Sequence, residues 1–329
     1  MFEGVAENHE HNGPRVIAIG ETMLMFAPPP PELIEHSTRF DCYLGGAESN
    51  VAIGLARLGE RAGWVSKLPR NALGRKIVNE MRAYGVDTSA VCWTDGGRVG
   101  TFFFEFATSP RTPAFIYDRA GSAMTTLSAT DLDWDYLRQA EWLQLTGITP
   151  GLSPVCRQTV REILHRAKEL GLKICFDVNY RALLWPPAEA RSALTPLLPD
   201  VDLLVTTEAD AAVLLGGEFD RREALRQLLD STARQAVVMT LGGEGCLAYN
   251  GEAFLSAPGY DIQVVNRLGA GDAFVAGLLH GCLHGGLETG LRYGAAMAAL
   301  KMTIPQNTPL VLRDDVERLL SGRPGGLIR

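Results

Sequence analysis

The residues best suited to chemistry lie in the segment Gly269-Ala270-Gly271-Asp272, between a strand-like apolar run and a helix-like apolar run. Its two glycines permit a tight turn and let a ligand approach the backbone closely. The first N–H groups of the following helix have no partner within that helix, and with the helix dipole they favour a bound phosphate. Asp272 lies at the mouth of this anion site, where a carboxylate can take the proton of an attacking hydroxyl. The local pattern leaves open a second interpretation, in which Asp272 only caps the helix.

A second glycine-rich segment, Gly45-Gly46-Ala47-Glu48-Ser49-Asn50, leads into a run with helical spacing that Gly59 ends. The paired glycines let the backbone approach a ligand without obstruction by side chains. Asn50 offers both a donor and an acceptor to hydroxyl groups. The alternative is a glycine-rich turn that enters a helix, with Asn50 as a polar surface residue.

The elements that must position these segments alternate between strand and helix from about residue 140 onward. This alternation predicts an α/β fold whose mostly parallel sheet is covered on both faces. Strands are predicted over 15–20, 62–66, 142–146, 172–178, 203–206 and 236–240, with a hairpin of 246–249 and 253–255. Helices are predicted over 47–58, 73–84, 155–170, 208–215, 221–229, 270–284, 287–301 and 312–320. Ligands of such sheets bind beyond the carboxyl ends of the strands, where several of these strands end in glycine or polar residues.

Two aromatic-rich runs, 99–106 and 114–119, have no helix between them and predict an antiparallel β flap or lid. We therefore expect a flexible N-terminal tail over 1–14, a single α/β domain over 15–322 and a C-terminal tail over 323–329. The lid strands are expected around 37–45 and 97–120, inserted in that domain.

Composition excludes several classes of protein. The 329 residues are 46% hydrophobic, enough for one large domain, and the net charge of −7 lacks the basic footprint of a nucleic-acid-binding protein. No apolar run approaches the roughly 18 residues of a membrane span, and the polar N-terminus lacks a signal-peptide core. Six widely spaced cysteines without a Cys-x-x-Cys pair indicate reduced thiols, so we expect a cytoplasmic protein with neither nucleic-acid nor membrane partners.

His280, Cys282 and His284 raise the question of a metal site, because residues four apart share a helix face. No carboxylate in that run completes a ligand set, and we predict no metal there. Three common enzyme motifs are also absent. The chain has no phosphate-binding Gly-x-x-x-x-Gly-Lys-[Ser/Thr] loop, Phe274 replaces the last glycine of a dinucleotide fingerprint, and no Gly-x-Ser-x-Gly elbow occurs.

The two glycine segments, in this order, resemble the N-terminal and C-terminal signatures of the ribokinase-like (PfkB) carbohydrate kinases. The resemblance covers about residues 15 to 320. It implies a ribokinase-like fold and an ATP-dependent transfer of phosphate to a sugar hydroxyl. Asp272 would be the base, and the backbone of Gly269, Ala270 and Gly271 would hold the phosphoryl group.

The resemblance also implies nucleotide and metal sites. The nucleotide-binding residues would be Asn179, Thr207, Thr240, Gly242, Gly243, Gly245, Gly269, Gly271 and Thr303. Mg²⁺ would bridge the ATP phosphates mostly through water, so no direct side-chain ligand is predicted. The family's Asn-x-x-Glu segment aligns with Thr207-Glu208-Ala209-Asp210, which leaves Asp210 or Glu208 to act through water. We also expect a homo-oligomer formed through the lid.

Three features bear on the sugar. Met25 stands where fructokinase-like members carry aspartate. The segments around Tyr117 to Ala123 and Asp177 to Trp185 resemble those of members that phosphorylate 2-keto-3-deoxygluconate. Arginine binds a carboxylate through both oxygens, so Arg119 and Arg181 would select an acid sugar; the alternative is that they pair with Asp118 and Asp177.

We therefore predict a kinase that phosphorylates the terminal hydroxyl of a 2-keto-3-deoxy sugar acid, with 2-keto-3-deoxygluconate as first choice. The predicted substrate-binding residues are Gly45, Gly46, Asn50, Phe102, Tyr117, Arg119, Arg181 and Asp272. The alternatives are a fructokinase or other ketose kinase of this family, or a non-catalytic sugar-binding sensor. Relatives commonly have aspartate at the position of Asn266, in a segment that binds a monovalent cation in ribokinase, so we expect weak potassium activation.

Overall fold

The computed structural model describes residues 13–107, 110–231 and 233–322. Nearly all of the two predicted tails, 1–14 and 323–329, lies outside these residues. The strands of the described chain are β1 (Val16–Ile19), β2 (Met23–Ala27), β3 (Asp41–Gly45), β4 (Ala62–Val65), β5 (Lys67–Pro69), β6 (Cys92–Thr94), β7 (Thr101–Glu105), β8 (Ala114–Asp118), β9 (Trp142–Thr146), β10 (Lys173–Asp177), β11 (Val201–Thr207), β12 (Ala233–Thr240), β13 (Gly245–Tyr249) and β14 (Phe254–Pro258). The helices are α1 (Ala47–Arg57), α2 (Ala72–Ala83), α3 (Trp134–Leu137), α4 (Ile148–Leu152), α5 (Pro154–Glu169), α6 (Pro187–Leu194), α7 (Glu208–Leu215), α8 (Arg221–Ser231), α9 (Ala270–Met302) and α10 (Arg313–Leu320).

The main sheet has eight strands in the order β14-β13-β12-β11-β10-β9-β1-β4. The strands from β12 to β4 run parallel, and β13 and β14 add an antiparallel edge. Its central strands are apolar because both faces of the sheet are covered. In β1, Val16 and Ala18 belong to the core on one face, whereas Ile17 and Ile19 belong to the core on the other. This architecture confirms the predicted fold class.

The lid is a separate four-stranded sheet in the order β3-β2-β7-β8. Its inner residues form a small core that includes Met25, Phe102 and Phe104. The outer strand β8 is exposed along its whole length. The predicted antiparallel pair of aromatic-rich strands is confirmed as β7 and β8. The sequence pattern does not predict β2, which pairs with β7 in parallel, because Met-Leu-Met-Phe-Ala shows no alternation of polar and apolar residues. The short parallel pair of β5 and β6 was likewise not predicted.

Helix α9 is broken at Gly286, where φ is 77° and ψ is −172°. It therefore consists of two consecutive helical segments, as the predicted helices over 270–284 and 287–301 require. The first segment begins at the glycine turn and packs beside α1, which begins at the other glycine segment. Two helices that start at the sequence motifs thus lie side by side. Among the described helices, none has the length and apolarity that crossing a membrane demands.

Candidate active site

The turn before α9 is built by Gly269, which adopts a left-handed conformation with φ of 86°. A Cβ at this position would lie 2.0 Å from the backbone oxygen of Asn307, so a side chain is excluded by conformation and by space. Gly269 is the N-cap residue, and no side chain caps the helix. The N–H of Ala270 donates to the backbone oxygen of Arg267, whereas the N–H groups of Gly271 and Asp272 have no partner among the described residues and are open to an anion.

Asp272 lies in the first turn of α9, and its side chain is nearly buried. The amide Nδ2 of Asn50 donates a hydrogen bond of 2.7 Å to Asp272 Oδ2. Burial raises the pKa of Asp272 to about 6, although the hydrogen bond from Asn50 and the charges of Arg181 and Lys301 act in the opposite direction. A carboxylate with a pKa near neutrality suits a general base. Asn50 keeps its Oδ1 buried without a partner among the described residues, so this atom can accept a further hydrogen bond.

A cavity of about 390 Å³ opens beside Asp272. It brings together residues from the lid, from both glycine segments and from the ends of the central strands. All predicted substrate-binding residues line it, namely Gly45, Gly46, Asn50, Phe102, Tyr117, Arg119, Arg181 and Asp272. Gly46 permits this close packing, because a Cβ there would lie 2.4 Å from the backbone oxygen of Glu21.

Arg119 does not form the pairing with Asp118 that was the alternative to binding a substrate carboxylate. Its guanidinium pairs with the buried carboxylate of Glu21, through a bond of 2.9 Å from Nε and a second from Nη2. Ser122 also donates to Glu21, and the neighbouring Asp118 pairs with Arg98 instead. The charge of Arg119 is thus compensated inside the cavity wall, which weakens its suitability as a carboxylate ligand.

Arg181 is an exposed cation of this cavity, as is Arg267 at the glycine turn. Within the described chain its guanidinium makes no side-chain hydrogen bond or ion pair, so the expected alternative pairing with Asp177 is not formed. Three carboxyl groups lie near it at longer range, and its charge offsets part of the rise that burial causes in the pKa values of Asp177, Asp210 and Asp272. The guanidinium remains free to bind an anionic group of a ligand.

The cavity wall holds further acidic groups. Burial raises the pKa of Asp177 to about 8, and the charges of Asp210 and Asp272 add to this effect. Burial also raises the pKa of Glu48 to about 7, although Thr146 and Thr149 donate hydrogen bonds of 2.7 and 3.1 Å to its Oε1. The fold therefore holds several carboxyl groups close together in a poorly hydrated place, as at many active sites.

A second cavity, of about 590 Å³, adjoins the first at the glycine turn, where Arg267, Ala270 and Gly271 line both. The predicted nucleotide residues Thr240, Gly242, Gly243 and Gly245 line this second cavity. A Cβ at Gly243 or Gly271 would stand in open space, so these glycines leave room for a group of the size of a phosphate chain. Asn179 and Thr207 line the first cavity instead, and Thr303 follows Met302 just outside the second.

The carboxylates predicted to act on Mg²⁺ through water differ in their surroundings. Both oxygens of Glu208 accept hydrogen bonds from Arg221, which also binds Glu244. Asp210 instead lines the first cavity, next to Asp177. Carboxylate oxygens are suitable donors for Mg²⁺, and of the predicted pair Asp210 is the one that lines the first cavity, although it is more buried than Glu208.

Several charged residues of the site escaped sequence reasoning. Glu21 and Glu48 stand next to recognised glycines, and that proximity is the only sequence signal they carry. Lys301 is fully buried, and its Nζ donates a bond of 3.0 Å to the backbone oxygen of Asn266, which steadies the loop before the glycine turn. Burial lowers the pKa of Lys301 to about 8. Nothing in the helical pattern of α9 distinguishes this lysine from a surface residue.

The comparison with known proteins agrees with this geometry. Residues 14–309 match the model of the pfkB family carbohydrate kinases. The chain is 40% identical over 315 residues to the 2-dehydro-3-deoxygalactonokinase of Haloferax volcanii, covering 95% of this chain and 99% of the relative. It is 32% identical over 268 residues to the 2-dehydro-3-deoxygluconokinase of Bacillus subtilis, covering 80% and 82%.

Among solved structures, the 2-dehydro-3-deoxygluconokinase of Thermotoga maritima superposes with a TM-score of 0.89. Its sequence identity is 33%, and the match covers 95% of this chain and 100% of that one. Fold, motif order and relatives agree over nearly the full length of the chain. The protein belongs to the pfkB family of carbohydrate kinases.

Proposed function

We propose that this enzyme uses ATP to phosphorylate the terminal hydroxyl of a 2-keto-3-deoxy sugar acid, with 2-keto-3-deoxygluconate as the first candidate. One observation carries the proposal. The buried carboxyl of Asp272 and the unpaired guanidinium of Arg181 line the same cavity, beside a helix N-terminus that is open to an anion. A site of this kind can bind an acid at one end and deprotonate a hydroxyl at the other.

Asp272 accepts the proton of the attacking hydroxyl in this mechanism. Asn50 holds the carboxylate by its hydrogen bond to Oδ2, which leaves the other carboxylate oxygen for the substrate. The unpartnered Oδ1 of Asn50 accepts a hydrogen bond from a sugar hydroxyl. Because both groups are fixed by packing, the hydroxyl is held in the orientation that attack requires.

The N–H groups at the start of α9 stabilise the negative charge that develops during transfer. Arg267 lies where the two cavities meet and adds a positive charge on the same side. When bound, Mg²⁺ and ATP supply the phosphoryl donor and neutralise part of its charge. Asp210 would hold the metal through water, and the glycines of the second cavity would accommodate the nucleotide.

Arg181 would bind the carboxylate of the sugar, and the hydroxyl of Tyr117 would add a hydrogen bond. Arg119, compensated by Glu21, would contribute a neutral polar wall rather than a second cation. The position of Met25 disfavours fructose, because its side chain is buried in the lid core and offers no oxygen to sugar hydroxyls.

The 2-keto-3-deoxygalactonate epimer is a second candidate substrate. It is favoured by the 40% identity to a relative named for that acid, compared with 32% to one named for the gluconate form. Both epimers carry the same carboxylate and the same terminal hydroxyl, so the arrangement of Asp272 and Arg181 serves either.

A panel assay tests the proposal. The purified enzyme with Mg²⁺ and ATP would be given 2-keto-3-deoxygluconate, 2-keto-3-deoxygalactonate, gluconate, fructose and ribose, and ADP release would be measured. We expect a kcat/KM for one or both keto-deoxy acids at least 100-fold above that for fructose. A preference for fructose would replace the acid-sugar proposal by the ketose alternative, and no ADP release with any sugar would favour the sensor.

We further propose that the lid pairs with the lid of a second copy. Strand β8 exposes Phe115, Ile116 and Tyr117 at an edge of the lid sheet, and exposed apolar edges favour association. Sedimentation of the enzyme and of Ile116→Lys tests this, since the lysine should shift the equilibrium to the monomer. A wild-type monomer at micromolar concentration would contradict the proposal.

A further inference from the structure

Glu60, His280 and His284 form a compact cluster at the far end of the helices that carry the active site. Glu60 Oε1 lies 2.7 Å from Nδ1 of His280 and 2.5 Å from Nε2 of His284. The three ligand-type atoms lie within 4.8 Å of one another. The histidine run alone offered no carboxylate, so no metal was predicted there; the fold supplies Glu60 from 220 residues away.

The backbone fixes each member of the cluster before any ligand arrives. Glu60 follows α1 after Gly59, whose φ is 90°. The N–H of Glu60 donates a hydrogen bond of 3.0 Å to the backbone oxygen of Leu55. That bond closes the end of α1 in the manner of a Schellman motif. His280 and His284 are one turn apart on α9, so their rings project from the same face.

Burial and charge also favour a cation at this place. The side chains of Glu60 and His280 are 6% and 2% exposed, whereas His284 is 45% exposed and leaves one side open to solvent. The Oε1 atom of Glu60 is shared between the two imidazoles. The second carboxylate oxygen of Glu60, Oε2, lies 3.3 Å from Nη1 of Arg15.

Arg15 is a positively charged residue that faces the cluster. Its Nε lies 2.5 Å from Oε1 of Glu141, so its charge is shared between Glu60 and Glu141. A carboxylate ligand is commonly oriented by a hydrogen bond to its free oxygen, as Arg15 provides here. The ring of Tyr293 packs on His280 with centroids 4.9 Å apart and holds the imidazole in place.

We propose that Glu60, His280 and His284 bind a divalent transition-metal ion of the zinc type, with water completing its coordination on the exposed side of His284. Two imidazoles and one carboxylate are a common ligand set for Zn²⁺. Imidazole is a poor ligand for Mg²⁺, so the site would be distinct from the one that serves ATP.

Binding requires a modest rearrangement. Ligand distances of about 2.0 to 2.1 Å place neighbouring donor atoms roughly 3.3 Å apart, so Glu60 Oε1 must withdraw from both rings. Nδ1 of His280 and Nε2 of His284 must present lone pairs instead of protons, which places the ring protons on the opposite nitrogens. The result would tie the end of α1 to the middle of α9, two helices whose first turns carry Asn50 and Asp272.

Titration with Zn²⁺ alone tests the proposal on the full chain. The enzyme would be freed of metal with EDTA, desalted and titrated by calorimetry in excess Mg²⁺, which occupies carboxylate sites without competing for imidazole. We expect one Zn²⁺ per chain with a Kd below about 1 µM, and a rise of the thermal midpoint on binding.

Matched variants locate the ion. Glu60→Gln preserves shape, and His284→Ala removes a side chain that is already half exposed, so both should fold. Each should weaken Zn²⁺ binding on the order of 100-fold and abolish the thermal shift. His165→Ala is the control, because His165 forms an exposed pair with Glu169 at the same spacing and should bind as the wild type does. The polar N-terminal segment also carries two histidines, His9 and His11, and replacement of both by alanine should leave binding unchanged.

Two results would overturn the proposal. One is the lack of saturable Zn²⁺ binding to the wild-type chain, in which case the cluster is only a hydrogen-bonded tie. The other is binding that persists in His284→Ala or disappears on replacement of His9 and His11, because the ion would then lie elsewhere.

Discussion

Asp272 combines burial with a single strong hydrogen-bond partner. Burial alone favours the protonated acid, which could not accept a proton, and the bond from Asn50 restores part of the ionised form. The balance leaves a base that is charged at neutral pH but still basic enough to take a proton from a hydroxyl as it attacks.

Asp272→Asn should retain nucleotide binding and lose turnover by about 100-fold to 10,000-fold, because the amide cannot accept the proton.

For the wild type, kcat/KM should fall tenfold per pH unit below about pH 6, where Asp272 becomes protonated. Asn50→Ala removes a bond that lowers this pKa, so the acid limb should move to higher pH. Rate measurements from pH 4.5 to 8 check both points, and a limb that stays in place in Asn50→Ala contradicts the role of that bond.

Arg181→Ala should raise the KM for the acid sugar about 10-fold to 100-fold and change the KM for ATP by less than about twofold. The reason is that Arg181 has no side-chain hydrogen-bond or ion-pair partner within the described chain, so its guanidinium N–H groups are available to the substrate. Arg161→Ala, on the surface of α5, is the control. Equal effects on the two substrates would remove Arg181 as the carboxylate ligand.

At the scale of elements, the glycine turn and the paired helices α1 and α9 determine the site. The turn exposes the N–H groups of α9, and the packing of α1 against α9 brings Asn50 to Asp272 across 222 residues of sequence. The glycines and Asp272 were recognisable in the sequence because they are contiguous. Their link to Asn50 was not, because it depends on how two helices pack.

Gly269→Ala and Gly271→Ala should separate folding from catalysis. The first places a Cβ 2.0 Å from a backbone oxygen in a left-handed residue, and should cost roughly 2 to 4 kcal/mol of stability. A Cβ at Gly271 would meet no atom within 4 Å, so Gly271→Ala should preserve stability. Its methyl group would nevertheless occupy space where the two cavities meet and should lower kcat. Thermal unfolding and turnover, measured on both, check this; equal melting temperatures would argue against strain at Gly269.

Across the whole molecule, the sequence predicts what depends on neighbouring residues and does not predict what depends on contacts between distant segments. Apolar periodicity and motif order are enough for the fold class and for the residues that line the cavity. The ion pair of Arg119 with Glu21 and the burial of Lys301 were not predictable, since each depends on contacts between distant segments. Strand β2 escaped prediction because both of its faces are covered, which erases the alternation that marks a strand.

The buried acids should make stability depend on pH. Asp177 has a raised pKa in the folded state, so the folded chain binds its proton more tightly than the unfolded chain does. Its contribution is therefore fully present below about pH 4 and is lost as the pH rises towards 8. Asp177→Asn should be more stable than the wild type at pH 8, by several kcal/mol, and nearly equal at pH 4. Chemical denaturation at the two pH values checks the sign, and a variant that is less stable at pH 8 contradicts it.

The two cavities share Arg267, Ala270 and Gly271 at the glycine turn, and neither is closed off from solvent. Neither ligand has to pass through the space of the other, so either can arrive first. Initial-rate kinetics should accordingly follow a random sequential order, with intersecting double-reciprocal lines and with each substrate bound by the free enzyme. A compulsory order, in which sugar binds only after ATP, would mean that the lid or the loop before α9 moves to create one cavity when the other is filled.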